Sequence, residues 1–537
     1  MAEVFCCCST QLPQGPMLPR RPRLLVCHDM AGGYGSDAAV QGCGDAGAFR
    51  LLHWHAIDVF VYFSHHLVTL PPPGWVHAAH RHGVPVLGTL ITEWDAGAAV
   101  CRRLFSSPAS AVQAAAQLAA LSAARGFEGW LINIENALPL NCMLNVLVFL
   151  RELRRRVHQR CPGGLVIWYD AVTVEGRLLW QDSLTRLNSP FFDACDGIFV
   201  NYTWRAGTPV QAAAHAGERA HDVYMGIDVF GRGSIGGGGL ACHVAARAAR
   251  AAGLSAALFA PGWVAEAEDA GPNWPDTAER LWGALGGAWG PPRPLAASLP
   301  FATSFDQGAG SRMYLEGRCV SARPWFNLAR QQPQPLHQRC AAVRISLGAH
   351  NPDSNSQPTT VPALYGTNET RGRRYGPADS GVGKEALGVG LWLGRNSGIS
   401  ERVRVSLAHA EMAACTEGPA WDGGTHLALS GRVPTGSPAW TASFPLYMAS
   451  VRVPERGLRV SITSMAPGGR GRLGLALDFL APRAACTTST LGGCGWAELR
   501  GSAATHASRA AGRQLDAAIG PNLHQGGGHS SRAARRP

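Results

Sequence analysis

The sequence predicts an α/β protein, a (β/α)8 TIM barrel followed by a β-sandwich-like domain and a disordered C-terminal tail. Three observations carry the barrel. First, eight short apolar, β-branched or aromatic runs recur between residues 24 and 265: Leu24–His28, Ile57–Phe63, Val84–Thr92, Gly129–Glu135, Leu165–Asp170, Gly197–Tyr202, Val223–Asp228 and Ser255–Ala260. Continuous apolar runs suit strands covered on both faces. Second, their spacing leaves room for a crossover helix each time. Third, polar and aromatic residues gather at the carboxyl ends of the runs, where barrel active sites are built. An open doubly wound sheet is the alternative that the same rhythm admits.

Two of the intervening segments read as helices in their own right. Ser107-Pro108 offers an N-cap with Pro in the first turn, Val112, Ala115, Leu118 and Leu121 repeat on one face, and Gly126 can end the helix. Met143, Val146, Leu147, Leu150, Leu153 and Val157 form a second apolar stripe. Past residue 300 the rhythm changes to β-rich segments, Ala341–Leu347, Val403–Leu407, Thr425–Val433 and Leu458–Met465, punctuated by Gly, Pro and Ser. The expected organisation is a low-complexity leader over 1–22, the catalytic barrel over 23–308, the β-sandwich-like domain over 309–487 with a long insertion near 349–415, and a disordered tail over 488–537.

Composition excludes several classes. Hydrophobic residues make up 46% of the 537 and charged residues only 16%, so the bulk of the chain is not a disordered polyelectrolyte. No apolar run is long enough to span a membrane. The start has no basic segment followed by an apolar one, so no secretory signal is expected and the chain is assigned to the cytosol. The net charge of +11 points to no nucleic-acid partner: Lys384 is the only lysine, and much of the arginine surplus sits at the ends. Fifteen cysteines without CxxC pairs read as reduced thiols, not as a disulfide scaffold.

The sharpest local feature is Gly129-Trp130-Leu131-Ile132-Asn133-Ile134-Glu135-Asn136. On a strand Asn133 and Glu135 point to one face, with Leu131 below them. An amide and a carboxyl then stand together at the barrel mouth, a general acid/base beside a group that orients a polar substrate. A capping pair in a loop is the bland alternative. No second carboxylate lies two residues away. A retaining glycosidase needs two carboxyls about 5 Å apart, and Asp170 or Glu93 could supply one. The other route is substrate assistance, in which a 2-acetamido sugar attacks its own anomeric carbon and an amide such as Asn133 steers it. Trp94, Trp168, Tyr169, Trp180, Tyr202, Trp204 and Trp263 fall at or just past strands and suit a carbohydrate cleft, though core packing explains such rings equally well. His65 lies on the same rim. A metal site fails: His77, His80 and His82 precede a strand and so sit at the stability end of a barrel, while His65 and His66 are adjacent. Gly236–Gly239 lacks the Lys-Ser/Thr of a phosphate loop.

Long strings carry a resemblance: LLVCHDMAGGY from Leu24, IDVFVYFSHH from Ile57, AHRHGVPVLGTLITEW from Ala79, GWLINIEN from Gly129, VIWYD from Val166, FFDACDGIFVNYTW from Phe191, DVYMGIDVFGRG from Asp222, ALFAPGW from Ala257 and LPFATSF from Leu299. The chain resembles glycoside hydrolase family 85, the cytosolic endo-β-N-acetylglucosaminidases, in their animal form. The resemblance implies cleavage within the di-N-acetylchitobiose core of N-glycans on glycoproteins or free oligosaccharides. It also implies retention through an oxazoline, a capacity for transglycosylation, and a monomer with no metal or organic cofactor. It puts the acid/base on Glu135, the acetamido-orienting amide on Asn133, the oxazoline contact on Tyr169 and an acceptor-side ring on Trp180. Trp94, Tyr202, Trp204, Trp263, His65, Glu93 and Asp170 complete the expected substrate-binding set. Departures from the family are the short lead before the first strand, the stretch 349–415, a β-domain that looks cut short, and the tail. A non-catalytic glycan-binding barrel and a chitinase-like hydrolase are the competing readings.

Overall fold

In the computed structural model the described residues run from 18 to 347, with breaks at 32, 162, 268–272, 291, 294, 297–302 and 342–343; beyond 347 they are short strands up to residue 519 and a few residues near 420–424. The chain divides into two compact units: residues 1–338 with 414–427 and 446–537, and residues 339–413 with 428–445.

All eight expected strands form. They are β1 (Leu24–Asp29), β2 (Val59–Phe63), β4 (Val86–Glu93), β5 (Gly129–Glu135), β6 (Leu165–Tyr169), β7 (Gly197–Val200), β8 (Val223–Asp228) and β9 (Ser255–Phe259), with a short β3 (Val68–Thr69) antiparallel on β4. Each of the eight pairs in parallel with its neighbours, and β1 pairs with both β2 and β9 while β2 pairs with β4, so the sheet closes into a barrel. Closure rules out the open sheet. The ends are trimmed for local reasons. At β4, Pro85 has no N–H for a ladder, so pairing starts at Val86, while the Pro85 carbonyl still accepts from the Phe60 N–H at 3.0 Å.

Strand parity sorts the core into two. Leu25, Cys27, Val59, Val61, Leu87, Leu131, Ile167, Phe199, Tyr224 and Ala257 fill the barrel interior. Alternate residues such as Val26, Phe60, Trp130, Ile132, Val166, Trp168 and Met225 face outward into the layer shared with the helices. Those helices are α1 (Pro73–Arg81), α2 (Trp94–Leu104), α3 (Pro108–Arg125), α4 (Leu140–Arg160), α5 (Ser189–Ala194), α6 (Thr208–Ala216), α7 (Cys242–Ala251), the one-turn α8 (Trp263–Glu266) and α9 (Trp274–Trp289). Ser107 caps α3 in a capping box with Ser110, and Gly126 ends it in the left-handed conformation. The buried stripe of α3 is Ala111, Ala114, Ala115, Leu118, Ala119 and Ser122, so Val112 and Leu121 sit at its margins, a correction to the expected face. Small residues let the helix lie close enough for the Trp130 indole N–H to donate to the Leu118 carbonyl at 3.0 Å.

The unit that holds the barrel runs on past residue 308 to Gln338. Gln331 anchors this segment at the amino end of the barrel: its Oε1 accepts from the Trp54 indole at 2.8 Å and its Nε2 donates to the Leu51 carbonyl at 2.9 Å. In the other unit, Arg344–Leu347 pairs antiparallel with both Thr360–Pro362 and Trp440–Ser443, and Arg339–Ala341 pairs antiparallel with residues 411–413. The strand expected over Val403–Leu407 lies outside the described residues, as does most of the 349–415 insertion. Of the tail past 488, the described part is the strand Arg513–Ile519, paired with Leu458–Ser464. Residues 1–17 of the 1–22 leader also lie outside them.

One glycine fixes the strand that carries the candidate site. Gly129 opens β5 in register with Leu165, and a Cβ there would lie 1.8 Å from the Leu165 carbonyl oxygen. Gly129→Ala is expected to cost about 3 kcal/mol or more of unfolding free energy. Denaturant titration checks this, and a variant within about 0.5 kcal/mol of the parent is the opposing result.

Candidate active site

Asn133 and Glu135 continue the inward parity of Leu131 and reach the carboxyl end of β5 together. The Asn133 Nδ2 donates to Glu135 Oε1 at 3.2 Å. Asn133 is buried, and its Oδ1 has no hydrogen-bond partner. A buried amide oxygen left open is costly unless something fills it. Because the Nδ2 is held by Glu135, the Oδ1 presents an acceptor to whatever enters beside it.

Glu135 is half-buried and stands in register with Glu93 of β4. Burial raises its pKa above the ordinary glutamate value. The Asn133 hydrogen bond opposes this, the Glu93 charge adds to it, and His65 lowers it. His65 Nδ1 lies 3.0 Å from Glu93 Oε2, so the two rim residues form a pair beside the acid. Such a shift favours the protonated carboxyl relative to an ordinary glutamate.

Tyr169, at the end of β6, is buried, and its hydroxyl donates to Asn201 Oδ1 at 2.9 Å. Burial, then the charges of Glu135, Tyr202 and Asp170, push its phenol upward, while a side-chain hydrogen bond with Trp180 acts the other way. Glu93, Asn133, Glu135, Tyr169, Trp180 and Tyr202 are thus brought together, with His65 at the edge. Trp180 is 38% exposed and Trp94 is 83% exposed. Trp94 holds a left-handed backbone, φ 55°, and its carbonyl accepts from Asn136 Nδ2 at 2.7 Å. Trp94 is thus a strained, exposed side chain at the barrel rim.

Three further expected site residues are buried. The Trp204 side chain is buried and its indole donates to the Gly226 carbonyl at 2.7 Å. Trp263 is buried against Gly239. Asp170 is buried, and its carboxylate accepts from Asn188 Nδ2 at 2.8 Å and from the backbone N–H groups of Gln181 and Asp182 at 3.1 and 2.9 Å. Burial pushes Asp170 up to about 7 against those three donors. Its evident work is to hold the loop that carries Trp180.

Other groups complete the rim. Asp228 at the end of β8 is fully buried and grips Arg232 in two hydrogen bonds of 2.7 and 3.0 Å. Arg232 and Asp228 both act electrostatically on Tyr202 and on Asp29 of β1. Asn201 and Asp228 end predicted strands, so their position was legible. Asp182 lies in a loop and had no signal. Of the histidines, His82 Nδ1 donates to the Ala78 carbonyl at 2.7 Å, which leaves its Nε2 to accept from the Gln334 N–H at 2.9 Å; His80 faces Glu128 at 3.1 Å. Among the described residues no group of three His, Cys, Asp or Glu side chains is arranged to hold a metal ion.

An inward amide–carboxyl pair, flanked by rings, thus stands at the mouth of a parallel barrel, the end at which barrel enzymes build their active sites. Residues 33–313, just over half of the chain, match the model of glycosyl hydrolase family 85, and the chain belongs to that family. It is 52% identical over 319 residues to cytosolic endo-β-N-acetylglucosaminidase 1 of Arabidopsis thaliana, covering 59% of this chain and 47% of the relative. To the cytosolic endo-β-N-acetylglucosaminidase of Homo sapiens it is 45% identical over 324 residues, covering 60% and 43%. The chain therefore spans less than half the length of these curated relatives. Among solved structures it is similar to the glycoside hydrolase domain of Endo-D from Streptococcus pneumoniae, at 20% identity and a TM-score of 0.49, covering 62% of this chain and 58% of that one.

Proposed function

We propose that this chain hydrolyses the GlcNAc-β-1,4-GlcNAc bond in the chitobiose core of N-glycans, on glycoproteins or free oligosaccharides, leaving one GlcNAc on the asparagine. The observation that carries the reading is the open Oδ1 of Asn133 beside a raised Glu135. Protonated Glu135 donates to the departing glycosidic oxygen. The carbonyl oxygen of the substrate's own acetamido group attacks the anomeric carbon, and an oxazolinium ring closes. Charge develops on the ring N–H, and Asn133 Oδ1 accepts that hydrogen. Glu135, now a carboxylate stabilised by Asn133 Nδ2, takes a proton from water, which opens the ring at the anomeric carbon with retention. A sugar hydroxyl in place of water gives transglycosylation. Trp180 and Trp94 offer faces for the sugar C–H surfaces, and Tyr169 lies against the reacting group.

The family membership and the relatives' names support the substrate. Those relatives are named cytosolic, and the barrel cysteines Cys27, Cys101, Cys142, Cys195 and Cys242 are buried free thiols, which supports a reducing compartment for this chain. No helix among the described residues is long and apolar enough to cross a membrane. Incubation with a high-mannose glycopeptide and mass analysis of both products tests the reading. The peptide is expected to keep the mass of a single GlcNAc; a peptide that keeps its whole glycan, or loses both GlcNAc residues, counts against it.

A further inference from the structure

We infer that Asp182 is a positioning residue for Tyr169: it fixes the Asn201 amide with Oδ1 toward the phenol, so the phenol's proton is committed to Asn201 and the oxygen lone pair not taken by the Trp180 indole is left to the cleft. Asn201 Nδ2 donates to Asp182 Oδ1 at 2.8 Å and to Thr203 Oγ1 at 3.1 Å. Thr203 in turn donates its hydroxyl to the same carboxylate at 2.7 Å and its backbone N–H at 3.2 Å. A carboxylate only accepts, so it admits one orientation of the amide. The amide's oxygen then faces Tyr169, whose hydroxyl is the donor at 2.9 Å. Asp182 itself is held in the left-handed region, φ 52°, with its N–H on Asp170. A non-glycine residue kept in that conformation by a buried anchor marks a site where geometry is held at a cost.

The catalytic consequence rests on the glycosidase reading. A lone pair aimed at the cleft favours the positive charge of an oxazolinium ring, whereas a phenol proton aimed there would oppose it. The hydrogen-bond polarity itself does not depend on that reading, and the test separates the two.

The full chain is prepared with its tyrosines labelled at 13Cζ, a nucleus whose shift reports whether a phenol donates or accepts. The Tyr169 signal is identified by its loss in Tyr169→Phe. Asp182→Asn is isosteric and tolerates a positive φ. It gives Asn201 a donor to face and lets the amide reverse. The Tyr169 signal is expected to move in Asp182→Asn, to move less in Thr203→Val, and to return in Thr203→Ser. A signal unmoved in both Asp182→Asn and Thr203→Val overturns the inference. On glycopeptide, Asp182→Asn is expected to lower kcat roughly tenfold with little change in KM, and to cost nothing further in a Tyr169→Phe background. An equal loss in both backgrounds overturns the inference and leaves Asp182 a mere loop support. A Tyr169 signal that moves in Asp182→Asn, alongside a parent protein that releases no glycan, upholds the positioning role while removing the proposed reaction.

Discussion

Glu135→Gln is expected to lose glycan release roughly a thousandfold while leaving the fold intact. The amide keeps the shape of the side chain and the burial, but it can neither give a proton to the leaving oxygen nor take one from water. Both halves of the proposed reaction use the same carboxyl, so the loss should appear with intact glycopeptide and with a preformed sugar oxazoline alike. The pH dependence gives a second reading of the same residue. Burial and Glu93 raise the Glu135 pKa, so the acid needed for the first step persists to higher pH than an ordinary glutamate would allow. Release from glycopeptide by the parent should fall as pH rises through that raised value. Hydrolysis of the oxazoline, which needs the carboxylate, should instead fall as pH drops through it. Glu93→Gln removes a charge that raises Glu135, so the alkaline limb should move to lower pH. An alkaline limb that stays in place in Glu93→Gln, or persists unchanged in the residual activity of Glu135→Gln, assigns the proton to another group.

How much of the fold and site is legible in the sequence follows from which physical signal each residue carries. The eight runs became strands because a doubly covered parallel strand needs continuous apolar sequence, which little else supplies. Asn133 and Glu135 were placed by the two-residue period alone, with Leu131 as the marker of the inward face. Aromatic residues just past strand ends carry no such period. Trp180 stays partly open, while Trp204 donates its indole to Gly226 and turns inward. Sequence cannot separate these two outcomes, since each depends on the path of a loop. Asp170 shows the same limit: a carboxylate at a strand end looked like a ligand contact, yet the loop over 179–182 folds back onto it. Asp182 was invisible, because its importance lies in a left-handed backbone angle and in partners 19 and 21 residues away.

Asn133→Ala separates substrate assistance from a two-carboxylate mechanism. Methyl at this position removes the acceptor for the developing N–H charge and frees Glu135 Oε1 from its one amide donor. A single preorganised partner of developing charge is worth about a hundredfold to a thousandfold in turnover, so release from intact glycopeptide should drop by that order. A preformed oxazoline has already passed the ring-closing step and needs only Glu135 as base. The variant should therefore retain most of its activity on that donor, and with a sugar acceptor present it should accumulate transfer product that it cannot cleave again. Asn133→Asp refines the comparison. It keeps an acceptor for the ring N–H but puts a second negative charge beside Glu135, which raises the acid further and shifts the alkaline limb of release upward. Its loss on intact glycan should be smaller than that of Asn133→Ala. If Asn133→Ala instead releases glycan at the parental rate, the sugar's acetamido group is not the nucleophile. A carboxylate, with Glu93 as the nearest candidate across the strand register, would then have to form a covalent bond to the sugar. Trapping that glycosyl ester by rapid quench and peptide mass analysis distinguishes the two routes, since substrate assistance forms no bond between sugar and protein at any step.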